Sequence, residues 1–256
     1  MAALRLGHRR AKVVVRDADI VLAVDDVSLA FGGIRVLANV SFDVALGEIA
    51  GLIGANGAGK ATCFNCITGP YRPTSGRIVF CGDDLRRRAA HEIAGRGIVR
   101  TFQNVALFGA MSVLDNVLVG ASARTISEAR ARREARDALA YLRLEAFANT
   151  RASALSYGTR KAVELARAVV ARPKLLLLDE PAAGLDRAEV AALERTVRAI
   201  RDDLAMTVLV VEHDMGLVMR ACDRIVVLDS GCKIAEGSPE TIQNDPAVTD
   251  AYLGVA

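Results

Sequence analysis

Residues 54–62, GANGAGKAT, contain glycines and one lysine in an order that suits a phosphate group. Gly54, Gly59 and Lys60 satisfy the pattern G-x-x-x-x-G-K-[ST] up to its last position. An apolar segment precedes this loop and a helical segment follows it, which is the context that the pattern requires. Backbone N–H groups of residues 56–60 can surround phosphates there, and the helix N-terminus adds partial positive charge. The sequence therefore predicts a nucleotide site in which Lys60 reaches the β- and γ-phosphates.

The last position of the pattern is Ala61, which lacks the hydroxyl that normally ligates Mg²⁺. Mg²⁺ accepts water in its octahedral shell, so water could supply that ligand. Thr62 is a poor substitute, because one residue along a helix corresponds to about 100° of rotation. We therefore expect a phosphate loop that contributes little to a metal site.

Two adjacent acids follow the apolar run 175–178. A carboxylate at the end of such a strand lies at the carboxyl edge of a parallel sheet, where α/β proteins bind ligands. Asp179 can hold Mg²⁺ through water, and Glu180 can polarise an attacking water. The pair predicts a hydrolytic site next to the glycine loop.

The segment LSYGTRK, residues 155–161, stands directly before a predicted helix. Ser156 and Gly158 offer a hydroxyl and backbone N–H groups at a helix N-terminus, which could bind an anion. Ser156 could equally be only an N-cap, and the residue types alone favour the cap.

Composition narrows the function classes. The chain has 256 residues and a formal net charge of +3, so no strong field points to nucleic acid. No apolar run approaches the ~20 residues that cross a bilayer. Residues 1–18 are basic and lack the apolar stretch of a secretory signal, which predicts a solvated tail.

The five cysteines are an odd number, which argues against a disulfide framework and fits a reducing compartment. Cys63 and Cys66 form a C-x-x-C on roughly one helix face, without a second pair at zinc spacing. We expect both to pack as small apolar side chains.

These residues must be positioned by strands and helices that the apolar periodicity predicts. The predicted strands are 20–31, 40–44, 48–53, 77–80, 175–178, 207–211 and 224–228. The predicted helices are 61–68, 126–147, 162–170 and 189–204. Fully apolar strands between helices indicate a parallel sheet covered on both faces, whereas the alternating first strands indicate an antiparallel sheet. The layout is an α/β core interrupted by a helical segment near residues 101–170.

The motifs GANGAGK, RTFQN, LSYG, LLLLDEP, AGLD and VEHD occur in that order. In type and order they resemble the ATP-binding subunits of ATP-binding-cassette (ABC) transporters, over residues 19–254. The resemblance implies a RecA-like P-loop NTPase core with an antiparallel β-subdomain and an inserted α-helical subdomain. It implies the following division: a tail (1–18), the β-subdomain with the first part of the core (19–100), the helical subdomain (101–170), the second part of the core (171–236) and a C-terminal tail (237–256).

The resemblance implies ATP and Mg²⁺ as cofactors, with adenine stacked on Phe31. The phosphates would lie against the loop residues Gly54, Asn56, Gly57, Ala58, Gly59, Lys60, Ala61 and Thr62. Asp179 would hold the metal, and Gln103 would sense the metal and the water. Glu180 would be the general base, and His213 would contact the γ-phosphate.

Other roles belong to the contact between two subunits. Ser156 and Gly158 would contact ATP bound by a partner ATPase subunit, and Asp186 would line the seam between the two. Two membrane permease subunits and, indirectly, a periplasmic binding protein are the further partners that the resemblance implies. It places the chain at the cytoplasmic face of a bacterial inner membrane.

More specific segments, GIVRTFQN, MSVLDNV, PAAGLD and DAYLG, are similar to the importers of branched-chain amino acids, in particular to the longer of their two ATPase subunits. Importers of urea or short amides share these motifs. A lipopolysaccharide-export-type ATPase and a soluble cassette of DNA repair or translation are further alternatives. A small-molecule P-loop kinase would need a substrate lid and has no use for LSYG or His213.

Ala61 and Thr159 depart from the family pattern, which has Ser or Thr and usually Gln at these positions. We expect ATP to bind with weakened Mg²⁺ dependence and to be hydrolysed more slowly at this loop. Because two subunits would share two ATP molecules, a partner's intact site could compensate.

Overall fold

The computed structural model describes residues 19–122, 124 and 126–253. The predicted basic tail, residues 1–18, and Gly254 of the DAYLG segment lie outside these residues. In chain order the strands are β1 (Ile20–Phe31), β2 (Ile34–Ala45), β3 (Ile49–Gly54), β4 (Ser75–Phe80), β5 (Asp83–Asp84), β6 (Ile98–Arg100), β7 (Leu175–Asp179), β8 (Thr207–Val211), β9 (Arg224–Asp229) and β10 (Cys232–Gly237). The helices are α1 (Lys60–Thr68), α2 (Ala90–Gly95), α3 (Val113–Ala121), α4 (Glu128–Tyr141), α5 (Tyr157–Val170), α6 (Arg187–Leu204), α7 (Met215–Ala221), α8 (Pro239–Gln243) and α9 (Pro246–Leu253).

An antiparallel sheet has the strand order β2-β1-β4-β5. β1 and β2 form a hairpin whose turn, Gly32-Gly33, has positive φ angles of 54° and 87°. Such angles are favourable for glycine and explain the two-residue connection. The strand predicted at 40–44 is the end of the longer β2, which begins at Ile34.

The second sheet has the order β10-β9-β3-β8-β7-β6. β6, β7, β8, β3 and β9 run parallel to one another, and β10 is antiparallel to β9. All residues of β3, β7 and β8 are buried. The carboxyl ends of parallel strands share one edge, so the ends of β3, β6 and β7 meet there.

Alternate residues of the parallel sheet pack into two different cores, as expected for a sheet covered on both faces. Leu52 and Leu177 face the core that contains α1 and the antiparallel sheet. Ile53 and Leu178 face the core formed with α5, α6 and α7. Cys63 and Cys66 are buried in the first core, which confirms that they pack as apolar side chains.

Helices α3, α4 and α5 form a separate apolar cluster. Helix α5 belongs to two clusters: Val163 and Val170 face this helical cluster, whereas Leu165 and Val169 face the core behind the parallel sheet. The helical segment is therefore tied to the sheet through opposite sides of a single helix.

The structure corrects two predicted helix boundaries. The helix predicted over 126–147 ends at Tyr141, because Arg143 adopts a left-handed φ of 59° and a 3₁₀ turn follows at Glu145–Phe147. The helix predicted over 162–170 begins at Tyr157, because Ser156 caps it. The short helices α2, α3, α7, α8 and α9 and the strands β5, β6 and β10 were not predicted.

Candidate nucleotide site

The glycine loop lies between the end of β3 and the start of α1. A Cβ atom on Gly54 would stand 2.2 Å from the Leu228 carbonyl oxygen. Gly59, with a φ of +101°, would bring a Cβ within 2.8 Å of Leu37 Cδ2. Both positions therefore require glycine, because a side chain would push the loop away from the two neighbouring strands. Asn56, Gly57, Ala58, Ala61 and Thr62 lie in this loop and in the first turn of α1.

The Lys60 side chain folds back against the loop and is only 6% exposed. Its Nζ atom donates hydrogen bonds to the carbonyl oxygens of Gly54, at 2.7 Å, and Ala55, at 2.9 Å. Burial lowers the pKa of Lys60, while the charges of Glu180 and Asp179 oppose this shift. The ammonium group is thus already positioned at the mouth of the loop, with donor capacity remaining.

Asp179 ends β7 and contacts a residue that the sequence did not single out. Arg100 Nη2 lies 2.6 Å from Asp179 Oδ2, and the two side chains are 11% and 10% exposed. Arg100, to which no role was assigned from the sequence, is the first residue of the RTFQN motif and ends a short strand beside β7.

Two of the predicted site residues, Gln103 and His213, approach the carboxylate of a third, Glu180. Gln103 Nε2 donates a hydrogen bond of 2.6 Å to Glu180 Oε2, and His213 Nδ1 lies 3.8 Å from the same oxygen. Glu180 adopts a left-handed φ of 45°, which is strained for a residue with a side chain. Its backbone is held by Lys161, whose Nζ donates to the Glu180 carbonyl at 3.0 Å. The arrangement can orient a carboxylate toward a water molecule.

Glu212 supports this group and was also missed by sequence reasoning. Its carboxylate is fully buried, at 0% exposure, and accepts a 2.6 Å hydrogen bond from the Ala182 backbone. It also accepts hydrogen bonds from the backbone N–H groups of His213 and Asp214 at 3.0 and 3.2 Å. Glu212 therefore connects the loop after Glu180 to the turn that carries His213.

The LSYG segment lies against the start of α6. Ser156 caps α5 by accepting the Thr159 N–H at 3.3 Å. A Cβ on Gly158 would stand 2.0 Å from Glu189 Oε1, so a larger residue there would displace the Glu189 side chain. Asp186 caps α6 and accepts from Ala188 N at 2.8 Å. In the described part of the chain, the hydrogen-bond partner of the Ser156 side chain is Thr159, not the phosphate loop.

Phe31 ends β1 and is 45% exposed. Its ring packs edge-to-face against Tyr71, with centroids 5.1 Å apart and an interplanar angle of 73°. The Phe31 ring is thus supported by Tyr71 and is partly open to solvent, where a planar group could contact it.

The loop fits a phosphate chain, but the side chains do not form a metal cage of their own. Ala61 offers no donor, one Asp179 oxygen is engaged by Arg100, and Gln103 directs its amide nitrogen to Glu180. Among the residues that the structure describes, no group of three or more His, Cys, Asp or Glu side chains is arranged for a metal. These residues would fit a Mg²⁺ ion that is carried by nucleotide phosphates and water, with Asp179 as the candidate carboxylate ligand.

Comparison with known proteins decides the family. A family model described as ABC transporter matches residues 37–183. The chain belongs to the ABC transporter family. A second model, described as branched-chain amino acid ATP-binding cassette transporter, matches residues 232–256 of this cassette.

Two relatives are similar to this cassette over nearly their full length. The high-affinity branched-chain amino acid transport ATP-binding protein BraF of Pseudomonas aeruginosa is 40% identical over 251 residues, covering 92% of this chain and 98% of BraF. LivG of Escherichia coli, which carries the same description, is 42% identical over 250 residues with the same coverage. The crystal structure of the ADP conformation of MJ1267, an ATP-binding cassette of an ABC transporter, matches with a TM-score of 0.83 and 30% identity. That match covers 92% of this chain and 99% of MJ1267.

These findings confirm the predicted family and the fold, an α/β P-loop core with an antiparallel sheet and an inserted helical cluster. The family membership also supports nucleotide binding and ATP hydrolysis. Within the described residues, no helix combines the length and apolarity needed to span a membrane.

Proposed function

We propose that this chain is the ATP-binding and hydrolysing subunit of an ABC importer for branched-chain amino acids. The observation that carries the proposal is the convergence of Gln103 and His213 on Glu180, beside a loop that holds Lys60. The match of residues 232–256 to the branched-chain amino acid model favours this substrate class over urea, short amides or lipopolysaccharide.

ATP binding begins with the phosphate loop. The phosphates accept hydrogen bonds from the loop N–H groups, and the Lys60 ammonium exchanges the Gly54 and Ala55 carbonyls for phosphate oxygens. Adenine stacks on the exposed Phe31 ring. The carbonyl contacts hold Lys60 near its working position, so little side-chain ordering remains for ATP to induce.

Hydrolysis uses Glu180 as the general base. Gln103 holds one Glu180 oxygen at 2.6 Å, which leaves the other free to accept a proton from water. His213 stands beside the same carboxylate and contacts the γ-phosphate. Asp179 and Gln103 are the proposed residues beside a Mg²⁺ ion that would accompany ATP and would neutralise charge on its phosphate oxygens.

A second ATPase subunit completes each site. Gly158 lies against Glu189 of α6, and Ser156 caps α5. The proposed partner of these two residues is the γ-phosphate of ATP bound by the other chain. Asp186 stands at the adjoining helix start, where it lines the seam between subunits.

The Gln103 loop is the proposed contact with two membrane permease subunits, which a periplasmic binding protein supplies with solute. Phe102 and Phe108, on this loop and shortly after it, are each 51% exposed. Apolar rings of this size at a surface suit a protein contact. The proposed location is the cytoplasmic face of a bacterial inner membrane.

Ala61 implies slower hydrolysis at this loop than in a chain with Ser or Thr there. We propose an asymmetric pair of ATPase subunits, in which one site mainly binds ATP and the other hydrolyses it.

The experiment is reconstitution of the chain with its permeases, partner ATPase and binding protein in liposomes. Leucine, isoleucine and valine should stimulate ATPase activity, whereas urea and short amides should not. The Glu180→Gln variant should bind ATP without stimulated turnover. Stimulation by urea alone, or none by any solute, would refute the proposed substrate class.

A further inference from the structure

A buried ion pair joins the carboxylate that is expected to hold the metal to a fixed cation of the same chain. Asp179 Oδ2 and Arg100 Nη2 are 2.6 Å apart, and both side chains are nearly excluded from solvent. Their strands are neighbours, since Arg100 pairs with Leu177 in the β6–β7 register. The pair is therefore built into the sheet edge on which the phosphate loop stands.

The guanidinium is held from three further sides. Arg100 Nη1 donates to Asn65 Oδ1 at 2.7 Å, on the helix that follows the loop. Arg100 Cζ lies 5.5 Å from the Phe64 ring centroid and 5.4 Å from that of Phe102. A planar group with hydrogen bonds and stacked rings has few alternative positions, so its charge stays beside Asp179.

Carboxylates and cations of the protein stand beside one another at the loop. Glu180, Asp179 and Glu212 act on the Lys60 charge, and Asp179 is paired with Arg100. A triphosphate that enters this site meets an Asp179 charge that is already neutralised. The residue at which a metal ligand would be expected, Ala61, offers no donor.

We propose that Arg100 is a positioning residue that acts as the permanent counter-cation of Asp179, so that ATP binds to this loop with little dependence on divalent metal. The proposal rests on the proposed function only in that the loop binds ATP. It extends that function, because the Arg100 side chain neutralises the Asp179 charge, a role that would otherwise be expected of Mg²⁺.

The test is the affinity of the full-length chain for ATP, measured by calorimetry in excess EDTA and in excess Mg²⁺. The native chain should bind with similar affinity in both. Arg100→Gln leaves the Asp179 charge unopposed beside the phosphates, which should weaken binding in EDTA by about tenfold to thirtyfold. Mg²⁺ should largely restore the affinity of this variant.

Two matched variants separate charge from structure. Arg100→Lys keeps the charge and should keep the native ratio of the two affinities. Arg77 forms a surface ion pair with Asp25, and their side chains are 62% and 42% exposed, respectively. Arg77→Gln therefore removes an arginine from an exposed pair and should change neither affinity. Equal weakening of Arg100→Gln in EDTA and in Mg²⁺ would overturn the proposal, because it would assign Arg100 a purely structural role.

Asp179→Asn keeps the proposal testable if Arg100→Gln does not fold. With Arg100 present and the carboxylate removed, ATP should bind more tightly in EDTA by severalfold. Unchanged affinity in EDTA with weaker binding in Mg²⁺ would overturn the proposal, since Asp179 would then interact chiefly with the metal. A native chain that requires Mg²⁺ for ATP binding would overturn this inference alone. Absence of ATP binding under both conditions would refute the proposed function instead.

Discussion

Replacing Glu212 by Gln tests the support behind Glu180, the proposed general base. Glu212 is completely buried and accepts one backbone hydrogen bond at Oε1 and two at Oε2. Glutamine has one acceptor oxygen, so its NH₂ group must face either Ala182 N–H or the N–H groups of His213 and Asp214.

The least costly arrangement keeps the two bonds to His213 and Asp214 and sacrifices the bond to Ala182. A hydrogen bond to a charged acceptor contributes about 1.5–3 kcal/mol, and a buried N–H left facing another donor adds a further cost. We expect the free energy of unfolding to fall by about 2–4 kcal/mol, which corresponds to a Tm lower by roughly 4–16 °C in a chain of this size.

Differential scanning calorimetry of Glu212→Gln, with Glu128→Gln as the control, measures this effect. Glu128 pairs with Arg132 on the surface of α4 and is 81% exposed, so its variant should keep the native Tm within about 1 °C. ATPase activity of Glu212→Gln should also fall, because the loop after Glu180 loses the hydrogen bond that Ala182 N–H donates to Glu212. If the two variants had equal Tm values, the three hydrogen bonds could not have the strength assigned to them.

Three further outcomes are expected. Ala61→Thr should steepen the Mg²⁺ dependence of hydrolysis and raise its rate, because it adds a metal ligand; superimposable curves would contradict this. Gly120→Ala should lower the free energy of unfolding by about 1–3 kcal/mol, since its Cβ would stand 2.0 Å from the Arg167 carbonyl oxygen; an unchanged urea midpoint would argue against this helix contact. A thiol reagent should label the folded chain at two of its five cysteines, the exposed Cys81 and Cys232, and all five only in denaturant; rapid labelling of a third would show that a buried thiol is accessible.

Local sequence patterns predicted the phosphate loop, the acid pair and the buried strands, because each depends on residues within a few positions of one another. The 3.6-residue and two-residue periodicities locate long elements well but fix their ends poorly. The end of α4 depends on the left-handed backbone conformation of Arg143, which an arginine in the sequence does not predict. β5 and β6 have two and three residues, which are too few for a periodic signal.

The missed site residues depend on distant pairs. Arg100 and Asp179 are 79 positions apart, and they meet only because β6 and β7 are neighbours in the sheet. Glu212 and Ala182 are 30 positions apart and meet at the same edge. In contrast, the cap of Ser156 on α5 was favoured from the sequence, since it needs only the residues that follow it.

Helix α5 can act as a lever because its opposite sides are embedded in the helical cluster and in the core behind the sheet. Its 14 residues span about 20 Å. A tilt of about 10° around its Val170 end would therefore carry Ser156 through about 3.5 Å, which exceeds the length of a hydrogen bond. If Ser156 contacts the ATP of a second subunit as proposed, a small rotation of the helical part would suffice to make or break that contact.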